Sequence, residues 1–166
     1  MATRPDAPDG PLRPSRYHRR VATFYDIDRA NARLPQVGAI LATLRDQRAE
    51  LMALRDRLFA MRRGAEVPSG GRSLVDEALR GDDAGETPRV LTVRIRARID
   101  QMQAAVERLD EWSVQLRDIE TGLVDFPTLV AGRQVWLCWR LGEPEIGFWH
   151  ELTAGVAGRR PLDELE

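Results

Sequence analysis

The chain contains no lysine: its basic side chains are all arginine, 25 of them among 166 residues. That bias says little about function, but the balance does. With 26 acidic residues the net charge is −1, so the chain as a whole is neither a polycation suited to nucleic acid nor an acidic tail. There is one cysteine, which rules out an intramolecular disulfide and makes a reducing cytoplasm the expected setting. Aromatic residues are only 6% of the chain. No apolar run approaches a membrane span, and "MATRPDAPDGPLRPSRYHRR" lacks the apolar stretch of a signal peptide, so no membrane association is expected.

What is present points to one soluble domain with a modest core. Residues 1–20 are rich in Pro, Arg and Asp and read as a disordered arm, leaving a single domain over 21–162. Residues 21–25 are a short strand candidate. Asp26 or Asp28 then offers a helix cap, and Pro35 predicts a kink or a break between two helices. From there to about residue 63, Ala30, Val37, Leu44, Leu51 and Leu58 recur every seven residues, with Leu34, Leu41, Leu54 and Met61 widening the stripe. A second run over 88–121 repeats the pattern through Ile95, Met102, Leu109 and Leu116 to Leu123, with Pro88 suited to the first turn and Gly122 to the cap. Helices over 27–63 and 88–121 would each be about 45–55 Å long. Matched lengths predict an antiparallel, coiled-coil-like helical hairpin whose flexible connection spans 64–87. Two helices leave much of each stripe uncovered, so a second copy completing a four-helix bundle, a homodimer, is expected.

Charge is sorted along this rod. Its tip carries Arg55, Arg57, Arg62, Arg63, Arg89, Arg94, Arg96 and Arg98; its base carries Asp26, Asp28, Asp110, Glu111, Asp118, Glu120 and Asp125. Arginines at the start of the second helix oppose its dipole, and the acidic connection (Asp76, Glu77, Asp82, Asp83, Glu86) is tethered closely enough to neutralise them. A single aromatic residue, Phe59, lies among these arginines, too few to stack successive bases, which disfavours nucleic acid as a partner.

The C-terminal segment, 123–155, differs in kind. "VWLCWRLGEPEIGFWHELTAG" holds three of the four tryptophans, the cysteine and a histidine. Residues 133–141 and 146–152 read as strands joined at "GEPE"; with 21–25 and 123–126 they predict a small antiparallel sheet at the base of the hairpin. The fold class is therefore α+β. If Pro144 centres the turn, Cys138 faces His150; one residue tighter, Cys138 faces Trp149 and His150 faces Leu137. A strand reading Trp-Leu-Cys-Trp is apolar on both faces, so something must cover each of them.

These residues also carry a resemblance. "GLVDFP", "VWLCWRLGEPEIGFWHE" and "GVAGRRPL", with "DIDRANARLP" upstream, resemble a bacterial family known as domain of unknown function 2203, over roughly residues 22–162. The resemblance implies no established activity.

Three chemistries fit the segment. Cys138 and His150 are good ligands for zinc or a similar transition metal, with oxygens from Asp125, Glu151 or Glu143. Against this, the closely spaced cysteine pairs and the second histidine of familiar zinc motifs are missing, and a lone cysteine commonly serves as a small buried hydrophobe. A Cys138–His150 dyad oriented by Glu151 or Asp125 would suit nucleophilic catalysis. A ligand pocket could be walled by Trp136, Trp139, Phe148 and Trp149, with Cys138, Arg140, Glu143, His150, Arg159 and Arg160 around it. The leading expectation is a non-enzymatic interaction or ligand-binding protein, with a protein or small molecule as partner. The alternative is a metal-binding protein or enzyme using Cys138 and His150.

Overall fold

The computed structural model describes residues 23–65 and 86–165. The arm expected over 1–20, the acidic residues Asp76, Glu77, Asp82 and Asp83, and a helical turn suggested by "SLVDEALR" lie outside the described residues. Two helices, α1 (Ile27–Ala65) and α2 (Pro88–Glu111), precede five strands: β1 (Gln115–Asp118), β2 (Leu123–Val130), β3 (Arg133–Arg140), β4 (Phe148–Glu151) and β5 (Arg160–Pro161). The strands pair antiparallel in chain order, which confirms an α+β fold built from helices first and a sheet second.

Asp26 caps α1, its carboxylate accepting the Arg29 N–H at 2.7 Å. The helix then runs unbroken through Pro35, where a kink or break was expected. The proline side chain faces solvent, while Leu34 and Val37 on either side are buried and hold the helix through the one backbone bond that proline cannot make. Residues 23–25 are not a strand; this segment joins the sheet through the Tyr25 N–H, which donates to the Pro127 carbonyl at 2.8 Å.

The second helix stops ten residues short of the expected end at 121. Trp112 caps it, and Ser113 adopts a left-handed conformation (φ 59°), so that the N–H groups of Ser113 and Val114 return to the carbonyls of Asp110 and Leu109. Tyr25 Oη donates to the Trp112 carbonyl at 2.6 Å, and Ser113 Oγ accepts from the Thr23 N–H. Leu116 therefore lies on a strand, and Gly122 is not a helix cap. It occupies the β1–β2 turn with φ 66°, where a Cβ would stand 2.5 Å from that of Leu141. At roughly 36 Å against 58 Å, α2 is much shorter than α1.

Contacts between the helices run antiparallel: Arg33 stacks on Trp112, Glu50 pairs with Arg98, and Arg57 and Arg94 share Glu86. Glu86 thus supplies part of the counter-charge expected at the arginine-rich start of α2. The core lies where this pair meets the sheet. Leu34, Val37, Leu41, Leu44 and Leu109 pack with Val124, Phe126, Val135, Leu137, Trp139 and Trp149.

Candidate functional site

Register decides which residues meet on the sheet. On the β2–β3 pair, Asp125 opposes Cys138 and Pro127 opposes Trp136. On β3–β4, Trp136 opposes His150 and Cys138 opposes Phe148, so neither register expected from the turn occurs. The cause is Ile146. Instead of extending β4 it plugs into the core, 3% exposed, with its N–H donating to the Asn31 side chain of α1. The connection is consequently longer than the "GEPE" turn. Glu143 closes it by accepting the Arg140 N–H on its carboxylate and the Trp139 indole N–H on its carbonyl.

Alternation then sorts the side chains. Trp139 and Trp149 turn toward the helices, whereas Asp125, Trp136, Cys138, Phe148 and His150 share the opposite face. The four aromatic residues expected to wall a pocket are therefore divided between the two faces. On the helix-free face, Asp125 and Cys138 are 0% exposed and His150 is 1% exposed. One ligand-type atom from each lies within 4.8 Å of the other two.

Hydrogen bonds fix the chemistry of this cluster. His150 Nδ1 lies 2.8 Å from the Glu151 carbonyl, an acceptor only, so Nδ1 carries a proton. His150 Nε2 is 3.0 Å from Asp125 Oδ2, and the two share a proton between them. Asp125 Oδ2 also accepts from Arg117 Nε at 2.5 Å, while Asp125 Oδ1 is buried without a hydrogen-bond partner. Burial, reinforced by the Asp125 charge, pushes the Cys138 thiol up to about 12. With both imidazole nitrogens engaged elsewhere, His150 is not placed to take the thiol proton. The arrangement suits binding better than nucleophilic attack.

The remaining candidates fall around this cluster. Arg159 donates from Nη2 to both Glu143 oxygens (2.8 and 2.9 Å) and lies over the Phe148 ring at 4.1 Å. Glu143 thus pairs with Arg159, and what it takes from Arg140 is a backbone bond; the Arg140 side chain is exposed at the edge. The Glu151 side chain pairs with Arg133 on the helix side of the sheet, so only its carbonyl reaches the cluster. Trp149 donates to the Pro161 carbonyl and carries Arg160 over its ring.

Arg117 was not anticipated. It sits at the irregularity between Leu116 and Asp118, where the β1–β2 register shifts, and that shift aims it at Asp125 and over the Trp136 ring at 5.1 Å. The signal was the alternation in "VQLRD", hidden by the seven-residue repeat that runs through it.

The chain belongs to the family described as "Uncharacterized conserved protein (DUF2203)", whose model matches residues 23–162. No curated protein and no solved structure matches it. Among the described residues, no helix is long and apolar enough to cross a membrane.

Proposed function

We propose that this is a non-enzymatic binding protein of the cytoplasm that self-associates along its helical hairpin and holds a ligand on the helix-free face of its sheet. The observation that carries self-association is a groove of about 490 Å³ lined by Leu51, Ile99, Met102, Gln103, Val106 and Glu107. Ile99 is 40% exposed, and Phe59 and Val93, each 62% exposed, add further uncovered apolar side chains nearer the tip. An apolar stripe of this extent on a helix pair is normally covered.

The occupant proposed is a second copy, docked antiparallel. Such docking sets the basic tip of one hairpin (Arg55, Arg62, Arg63, Arg89, Arg96) against the acidic base of the other (Asp28, Asp110, Asp118, Glu120), so the charges complement each other. The residues that test this are not Leu44 and Leu109, which are fully buried within a single chain. Charging them would unfold the monomer and would not dissect an interface. Ile99 and Val106 are the informative positions.

Sedimentation equilibrium should show a dimer at micromolar concentration. The double substitution Ile99→Glu with Val106→Glu should give a monomer of unchanged helix content. A wild-type monomer at 100 µM, or a double variant that remains dimeric, would overturn the reading.

A further inference from the structure

We infer that Asp125, Cys138 and His150 form a site for one zinc-type divalent cation, with a fourth coordination position left to water or to an atom of a bound ligand. The donor set is one thiol sulfur, one imidazole nitrogen and one carboxylate oxygen, a mixture matched to a borderline-soft ion such as Zn²⁺ rather than to Mg²⁺ or Ca²⁺. Donor atoms around a tetrahedral zinc stand roughly 3.3–3.6 Å apart. Here they lie within 4.8 Å of one another, with Nε2 3.0 Å from the Oδ2 of the same Asp125 carboxylate, so side-chain adjustment on a fixed backbone separates the arrangement from a closed one. Three adjacent strands of one sheet present them, a rigid support for a geometry that must be held closely.

Two further observations point to a ligand. Asp125 is fully buried, yet its Oδ1 makes no hydrogen bond of ordinary geometry, and the thiol of Cys138 opposite it is a weak donor; a lone pair left so is costly unless something binds it. The surrounding bonds are also those that orient metal ligands. The Glu151 carbonyl holds Nδ1–H and so turns Nε2 toward the Asp125 carboxylate, and Arg117 fixes that carboxylate through Oδ2 while leaving Oδ1 available.

The Arg159–Glu143 ion pair, whose side chains are partly exposed, stands beside Phe148 on the same face. None of this depends on self-association, since all three ligands come from one chain.

The test is titration of metal-free, untagged, full-length protein with Co²⁺ alone, followed by Zn²⁺. One Co²⁺ per chain is expected, with thiolate-to-cobalt charge-transfer absorption that equimolar Zn²⁺ abolishes. Cys138→Ser should remove that absorption with the far-ultraviolet circular dichroism unchanged. Arg117→Ala should weaken Zn²⁺ binding by about 10–100-fold without changing stoichiometry. Wild-type protein that takes up no Co²⁺, or takes it up without thiolate absorption, overturns the proposal. That measurement needs no variant, so it remains decisive even if Cys138→Ser does not fold.

Discussion

The two faces of the sheet are equally buried and are buried by different means. Toward the helices, Val124, Phe126, Val135 and Leu137 are all 0% exposed and meet Leu41, Leu44 and Leu109 in an apolar layer. On the far side Asp125, Cys138 and His150 are as inaccessible, yet their partners are Arg117 and a backbone carbonyl. Arginines stacked on Trp136 and Phe148 stand beside them. Burial alone therefore does not distinguish a packing face from a binding face; the nature of the partners does. An apolar face gains from every carbon it hides, whereas a polar face is stable only while each donor and acceptor is matched.

The comparison breaks most visibly on the helix side. Phe126→Ala should destabilise the chain by about 3–5 kcal/mol, since it removes a fully buried ring that meets Tyr25 edge-on at 5.2 Å and leaves a cavity between sheet and helices. Urea unfolding followed by circular dichroism measures this. A loss under about 1 kcal/mol would mean that the helices do not anchor the sheet through this layer.

On the polar face the effect to look for is a dependence on pH. In metal-free protein with chelator present, the folded Cys138 thiol is held at about 12 against an ordinary 9.0. The folded state therefore keeps a proton that the unfolded chain releases. Its stabilising contribution is complete below pH 9 and is lost as pH rises toward 12. The slope is about 1.4 kcal/mol per pH unit, or roughly 2 kcal/mol by pH 10.5. Comparing unfolding free energies of wild type and Cys138→Ala from pH 8 to 10.5 isolates this slope, because other titrating groups cancel. Parallel curves would show that the thiol ionises alike in both states.

How much of this was legible in the sequence differs between the two halves. The helical hairpin could be read because an apolar residue at every third or fourth position of α1 has one interpretation, and the capping carboxylate of Asp26 precedes it. The end of α2 could not, because Leu109, Leu116 and Leu123 keep their seven-residue spacing across a chain reversal that rests on Ser113, a residue without the usual glycine signature of a left-handed cap. That reversal made β1 and brought Arg117 to Asp125. For the site, residue types were readable and register was not. Asp125, Cys138 and His150 stood out as chemistry, but which residue each faces depends on the strand registers, and that of β3–β4 goes with Ile146 leaving its strand for the core, a tertiary preference that no local pattern encodes.

Two ion pairs of the same length sharpen the contrast to its finest point. Arg117 Nε reaches Asp125 and Arg133 Nη1 reaches Glu151, each at 2.5 Å. The first carboxylate is fully buried beneath an arginine side chain 35% exposed; the second pair is 52% and 34% exposed. If distance governed, the two substitutions to alanine would cost the same. Because water screens and replaces the outer pair, Arg133→Ala should cost about 0.5 kcal/mol or less. Arg117→Ala strands a buried carboxylate that keeps only His150, and should cost about 1.5 kcal/mol, moderated by the partial exposure of the arginine. Thermal unfolding in 50 mM and 500 mM salt separates the cases. Salt should erase what remains of the Arg133 effect and leave most of the Arg117 effect in place. Equal costs for the two substitutions would mean that the polar face is more open to water in solution than its burial implies, and the distinction between the faces would then rest on Cys138 and His150 alone.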